Sequence, residues 1–487
     1  MQTTEVKDWM AKVIKPEQNE VFMKNGRDFI DEDYIARILR QNSAPENSQI
    51  REIIAKSLSL QRLDPEETAA LLNCNDPELW EEMYAAGLTV KQNVYGRRIV
   101  TFAPLYVSNH CVNSCAYCGF RRENEHCERR QLTTEELQRE IHALIQKGHK
   151  RLIMVYGEHP SSDVHYIADT IKTTYETKSG KGEIRRVNVN AAPLSIEDLG
   201  ILNDVGIGTF QVFQETFHRE TYRKLHPRGI KANYNWRLYS LHRAMAAEVD
   251  DVGIGALFGL YDWKFEVLGL LLLTIDLEKH FGGVGPHTIS FPRLEPAVNT
   301  PFIEKSGYKI DDNIFKKLVT VLRLSVPYTG MILTAREKAA VRREIIPVGC
   351  TQIDAGSNIT VGGYSESNPD YNRQQFILGD ERSLDEAIGD LTRMGYITSF
   401  CTAGYRCGRT GNDFMSLAKK GKVNTLCMPN AILTFKEYLL DYASEDTLAV
   451  GSELITKEIA ALSNPKIKET VGNYLTRLEA GERDLYL

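Results

Sequence analysis

The sequence predicts an α/β protein: a complete (β/α)8 barrel with a helical N-terminal segment before it and a mainly helical C-terminal domain after it. Three observations carry that expectation. From Thr101 onward, short β-branched and aromatic runs alternate with amphipathic helical stretches, the pattern of a parallel sheet wrapped by helices. Eight such runs can be counted, enough to close a barrel. The chain, 487 residues with 42% hydrophobic and 25% charged positions, has the size and balance for one large barrel plus appended segments.

Taken in order, residues 1–95 read as helices, for example Asp31 to Gln41 and Asn47 to Leu60, with Asp64-Pro65-Glu66-Glu67 as a helix start. The barrel is placed at 96–365. Its candidate strands are Phe102 to Ser108, Leu152 to Tyr156, Arg186 to Asn190, Thr209 to Gln214, Asp251 to Ala256, His287 to Phe291, Gly330 to Thr334 and Thr351 to Ala355. Between the first two, Thr133-Thr134-Glu135-Glu136 offers a capping box, after which Leu137, Ile141, Leu144 and Ile145 share one helix face directed at the sheet. The apolar run Val267 to Ile275 is a barrel helix, too short to cross a bilayer. A polar stretch, Ser365 to Arg373, ends the alternation and opens a C-terminal domain at 366–487 that holds a second cysteine cluster.

Composition narrows the function. With 59 basic and 65 acidic residues the formal charge is −6, so no general attraction to nucleic acid or to an anionic membrane is expected, and the partner is a small molecule. Nine cysteines without a secreted-domain pattern, and charges throughout Met1 to Lys15 where a signal peptide would be apolar, suit a reducing cytoplasm.

Cys111-Val-Asn-Ser-Cys115-Ala-Tyr-Cys118 is the most informative stretch, and it falls in the loop after the first strand, at the end of a barrel where active sites lie. Three thiolates can hold three irons of a 4Fe-4S cubane and leave the fourth open to a small molecule. A structural zinc site would want four closed ligands, with His110 and Cys127 the nearby candidates to complete one. The spacing, with Tyr117 inside it, resembles the radical S-adenosylmethionine (SAM) enzymes. That resemblance implies that the open iron chelates the amino and carboxylate groups of SAM, and that an electron from the cluster splits the sulfonium to a 5'-deoxyadenosyl radical.

The other strand ends offer further candidates. Gly157-Glu158, after the second strand, resembles the element that holds the methionyl amino group of SAM in that family; alone, the pair is also an ordinary turn. Asn188 and Asn190 share one side of the third strand and read equally as pocket amides or as a polar layer of the barrel core. Gln214, and the glycines Gly253 and Gly255, have similar dual readings, the glycines allowing an adenosine to lie close against the backbone. Arg336 and Thr334, after the seventh strand, could grip a substrate carboxylate with a guanidinium fork and a hydroxyl; the alternative is a surface arginine at a helix start.

A narrower resemblance covers Phe29 to Leu487. Phe102-Ala-Pro-Leu-Tyr106, Arg185 to Asn190, Gln214-Glu-Thr-Phe-His218, Gly285-Pro-His-Thr-Ile-Ser290, Pro327-Tyr-Thr-Gly-Met331 and Arg409-Thr-Gly411 resemble the HydG family of FeFe-hydrogenase maturases, which are tyrosine lyases. The barrel is also similar to the ThiH family of 2-iminoacetate synthases, while Pro429 to Phe435 resembles HydG alone. The resemblance implies cleavage of the Cα–Cβ bond of L-tyrosine, or a close analogue, to p-cresol and 2-iminoacetate. Arg336 and Thr334 would hold the carboxylate, with threonine where serine is expected, and a reductant such as ferredoxin or flavodoxin would supply electrons.

The resemblance also implies a possible second iron–sulfur cluster on cysteines spaced C-x2-C-x22-C. Here the chain reads Cys401, Gly404 and Cys427, so the middle ligand is missing; Cys407 is the nearest substitute. Asp276 stands where the family has an iron-binding histidine, and can itself ligate iron. The two departures point to a lyase that stops at tyrosine cleavage or acts on another amino acid. The alternatives are a full maturase that makes carbon monoxide and cyanide on an altered cluster, a 2-iminoacetate supplier for thiazole synthesis, and a non-enzymatic iron–sulfur scaffold.

Overall fold

The computed structural model describes residues 4–366 and 371–487. Part of the polar stretch placed at Ser365 to Arg373 therefore lies outside the described residues. Eight parallel strands run β1 (Arg98–Ser108), β2 (Arg151–Tyr156), β3 (Arg186–Asn190), β4 (Thr209–Gln211), β5 (Asp251–Gly255), β6 (Thr288–Ser290), β7 (Gly330–Leu333) and β8 (Gln352–Asp354). They neighbour one another in sequence order, and β8 pairs back onto β1 through Val100↔Gln352 and Phe102↔Asp354. The sheet is thus a closed TIM-type barrel.

All eight strands were legible because a parallel barrel strand is covered on both faces and reads as a nearly continuous apolar run. The helix after β1, Thr134–Gln146, carries the anticipated capping box from Thr133 to Glu136 and buries Leu137, Ile141, Leu144 and Ile145. The apolar run from Val267 lies in Trp263–His280, which buries eleven residues against the sheet and its neighbours. N-terminal helices form at Glu32–Gln41, capped by Asp31, at Asn47–Leu58, and at Pro65–Leu72 behind the Asp64 capping box. No helix among the described residues is long and apolar enough to cross a membrane.

A ninth strand, β9 (Ile397–Ser399), was not anticipated. It adds in parallel to the first residues of β1, with Arg98 opposite Ile397, and so joins the segment after 366 to the barrel sheet. The helix Val423–Asp441 lies against the same end, where the strands begin. Its Glu437 takes Lys150 at 2.8 Å and Arg185 at 2.7 Å, from the residues just before β2 and β3, and all three side chains are buried. Inside the barrel, Phe102, Ile153 and Ile332 form a small apolar cluster. Above it, at the strand C-termini, opens the larger cavity; below it lies a second cysteine-lined space.

Candidate active site

The upper cavity encloses about 1370 Å³ including its open mouth, and the thiols of Cys111, Cys115 and Cys118 line it together. The loop that carries them is held by Asn113. Its amide nitrogen donates to Glu158 Oε2 at 2.7 Å, and its oxygen accepts the Lys231 backbone N–H at 2.9 Å. The Glu158 carbonyl accepts from Val112 N–H at 2.9 Å. Gly157 is required by close approach: a Cβ there would sit 2.1 Å from the His110 carbonyl oxygen. So the Gly-Glu pair fastens β2 to the cysteine loop.

Two sulfurs already meet amide donors, Cys111 with Asn113 Nδ2 at 3.5 Å and Cys118 with Gln375 Nε2 at 3.6 Å. Burial pushes the Cys111 thiol up to about 11 and raises Cys115 and Cys118 as well. Burial outweighs the nearby Lys231, so without metal these thiols stay protonated, and metal binding would release their protons. Among the described residues no three His, Cys, Asp or Glu side chains gather tightly enough for a single metal ion. A cubane places each thiolate on a separate iron, and three thiols around one cavity fit it.

Tyr117 points its hydroxyl to His226 Nε2 at 2.7 Å, while His226 Nδ1 donates to the Tyr222 carbonyl at 2.9 Å. Burial, reinforced by Lys231 and Arg237, holds His226 well below its ordinary value, so the ring is neutral and accepts from Tyr117. Glu158 Oε1 takes Arg237 Nη1 at 2.7 Å. Glu215, in the left-handed region with φ 71, takes Lys231 at 2.6 Å and Arg237 at 3.5 Å. Burial works against ionising Glu215, yet Lys231 and Arg237 outweigh it and hold the carboxyl below its usual range. On this wall two carboxylates balance two cations.

Arg336 is different. It lines the same cavity as the cysteines, makes no ion pair or side-chain hydrogen bond among the described residues, and lies on Phe376 with 3.3 Å from Cζ to the ring centre. Burial lowers its basicity. The Thr334 hydroxyl beside it is buried without a partner. Asp354, also on the wall, is committed to Ala335 N–H at 2.7 Å and Ser357 Oγ at 2.8 Å, and burial pushes it up. A guanidinium fork and a free hydroxyl are left for an incoming anion.

Other expected residues resolve differently. Asn190 lines the cavity, whereas Asn188 is buried deeper and accepts from Thr209 N–H at 3.0 Å, part of the polar layer of the core. Gln214 is not among the residues that line it. Gln211, Phe213 and Glu215 do, as two-residue alternation from Gln211 would have indicated. Gly253 makes room for Gln211 and Thr288, and Gly255 for the Phe213 ring, so both glycines serve packing within the barrel and neither lines the cavity. Lys231, Arg237, Gln375 and Phe376 were missed, because nothing in the local pattern of a loop or helix charge says that it points into a barrel.

At the other end, two adjoining cavities of about 370 and 270 Å³ share Cys401, Gly404, Arg409 and Cys427. Cys401 follows β9 with φ 48, a left-handed conformation that a cysteine rarely adopts. Cys407, predicted as a substitute ligand, is exposed instead, with Sγ 3.8 Å from the Leu487 oxygen, because the turn after Gly404 carries it to the outer face. Asp276 is also elsewhere. It sits on Trp263–His280 facing the N-terminal segment and pairs with His242 at 3.0 Å. The histidine that does line the lower cavity is His287, just before β6, held by Asp251 at 3.2 Å.

Comparison with known proteins agrees with this geometry. A profile described as the Radical SAM superfamily matches residues 105–268, and one described as the Biotin and Thiamin Synthesis associated domain matches 290–397. A crystal structure of HydG, a maturase of the FeFe-hydrogenase, shares 48% identity with a TM-score of 0.91, over 95% of this chain and 100% of that one. The FeFe-hydrogenase maturase HydG from Carboxydothermus hydrogenoformans shares 36% with a TM-score of 0.80, over 95% and 99%. The 2-iminoacetate synthase of Salmonella typhimurium is 28% identical over 70% of this chain and 88% of its own. Identity of this extent across barrel and C-terminal segment alike means that the chain belongs to the HydG family of radical SAM tyrosine lyases, enzymes that use a 4Fe-4S cluster and SAM.

Proposed function

We propose that the protein cleaves the Cα–Cβ bond of L-tyrosine to p-cresol and 2-iminoacetate. The observation that carries this reading is the Arg336 guanidinium, without an ion pair among the described residues, and the unpartnered Thr334 hydroxyl, which share one cavity with three cysteines at the strand C-termini. Cys111, Cys115 and Cys118 would hold the 4Fe-4S cluster, which together with SAM would supply a carbon-centred radical by one-electron cleavage of the sulfonium.

The chain's own residues do the rest. Arg336 and Thr334 fix the substrate carboxylate, so the amino group attached to the same carbon is turned toward the thiol end. Phe376 keeps the guanidinium flat and removes one face from water. Glu158, Arg237, Glu215 and Lys231 compensate one another and leave no free charge to compete for the carboxylate. Phe102, Ile153 and Ile332 close the floor with apolar surface, which keeps the reacting end dry. Electrons come from an external reductant of the ferredoxin or flavodoxin kind.

The test is anaerobic turnover with SAM, dithionite and each aromatic amino acid, reading 5'-deoxyadenosine and the phenolic or indolic product. Coupled formation of 5'-deoxyadenosine and p-cresol from tyrosine is the expected result. Cleavage of SAM that no aromatic amino acid accelerates, and that yields no p-cresol, overturns the proposal.

A further inference from the structure

The second cluster that the family resemblance implies does not fit the residues at the lower end of the barrel. Only Cys401 and Cys427 present thiols to that space; the third position is Gly404, and Cys407 lies outside it. His287 does not complete a single-ion site with them, since no three such side chains among the described residues gather closely enough. The vacancy has the dimensions of one missing side chain. A Cβ built on Gly404 meets only the Arg409 carbonyl oxygen, at 3.8 Å, and the residue is not in the left-handed region.

What the space presents instead is positive. Arg98, on the first residue of β1, is 4% exposed and has both Nε and Nη1 buried without a hydrogen-bond partner. Arg409 has its Nε in the same condition and gives an Nη2 hydrogen bond to the Leu487 oxygen at 2.9 Å. Both guanidiniums line the 270 Å³ cavity, together with the hydroxyl residues Ser399 and Thr434. Guanidiniums beside the two thiols do not replace the missing ligand, since a guanidinium has no lone pair to offer iron. We propose that the lower cavity of this chain holds no iron–sulfur cluster, because the position of the third thiolate is Gly404. The assignment rests on the cavity and not on the tyrosine reading, and its test needs no turnover.

The protein is reconstituted anaerobically with iron and sulfide, as wild type and as Gly404→Cys, and iron, acid-labile sulfide and the spectrum of the reduced clusters are measured. Wild type is expected to hold about four irons per chain and Gly404→Cys about eight, with a second cubane signal. About eight irons and two signals in wild type overturn the proposal. Gly404→Cys that stays at about four irons overturns it equally, since the missing thiolate would then not be what excludes the second cluster.

Discussion

Arg336 concentrates the substrate argument in one side chain. A guanidinium without an anion on a cavity wall is costly to fold around, and the stack on Phe376 offsets only part of that cost. Arg336→Lys keeps the charge but loses the fork, and Arg336→Met loses both. Truncating a buried charge that grips a carboxylate costs roughly 2–5 kcal/mol, so kcat/KM for tyrosine should fall by about 30-fold to several-thousand-fold in Arg336→Met, with a smaller loss in the lysine variant. Slow cleavage of SAM without tyrosine should survive in both. Parallel loss of the two activities would mean that the residue supports the fold and not the substrate. Gly157 supplies the matching prediction for the cofactor half. With a Cβ 2.1 Å from a backbone oxygen, Gly157→Ala must move β2 or the cysteine loop, at about 1–3 kcal/mol. Reconstituted Gly157→Ala should therefore show markedly lower iron content and a weakened cluster spectrum while its circular dichroism stays that of wild type.

At the scale of elements, the helix Val423–Asp441 is fastened under the barrel by Glu437, buried between Lys150 and Arg185. Burial opposes ionising this carboxyl, but the two cations prevail and hold it at about 2, below its ordinary 4.5. Because the folded value is depressed, the stabilisation is complete above about pH 4.5 and is lost as pH falls toward 2, a contribution of about 3 kcal/mol. Glu437→Gln should lower stability by roughly 3 kcal/mol at neutral pH, since it strands the buried Lys150 and leaves Arg185 with Asp484 and Glu183 alone, and should flatten the stability profile between those pH values. Urea melts at pH 7 and pH 4 measure both. Sequence patterns showed the helix but not this contact. They locate an element by its apolar period, which is why eight strands and the capped helix after β1 were legible. They are blind to pairings set by distant chain: β9 has three residues, and its partner lies about 300 positions earlier, at Arg98. The same blindness hid His287, which lies beyond the helix Trp263–His280 and just before β6: only the packing brings it to the lower cavity, while Asp276, where the family resemblance implied an iron ligand, turns to His242.

For the whole molecule, the division of the barrel into two ends decides what leaves it. The upper end keeps every thiol, a carboxylate grip and compensated charges; the lower end lacks the one thiolate at Gly404 on which the implied second cluster depends. If tyrosine is broken above, the two-carbon fragment 2-iminoacetate has no cubane below at which to be converted further. In water an imine of this kind hydrolyses to glyoxylate and ammonium. Wild-type protein given SAM, tyrosine and a low-potential reductant should therefore yield p-cresol and glyoxylate in about equal amounts, and deoxymyoglobin added to the reaction should show no carbon monoxide band. The two products distinguish the readings. Carbon monoxide in step with p-cresol would mean that a cluster forms on Cys401 and Cys427 with a ligand from outside the chain, and that the protein acts as a full maturase. Glyoxylate with p-cresol and no carbon monoxide places the end of the chemistry at the barrel mouth, above the apolar floor of Phe102, Ile153 and Ile332.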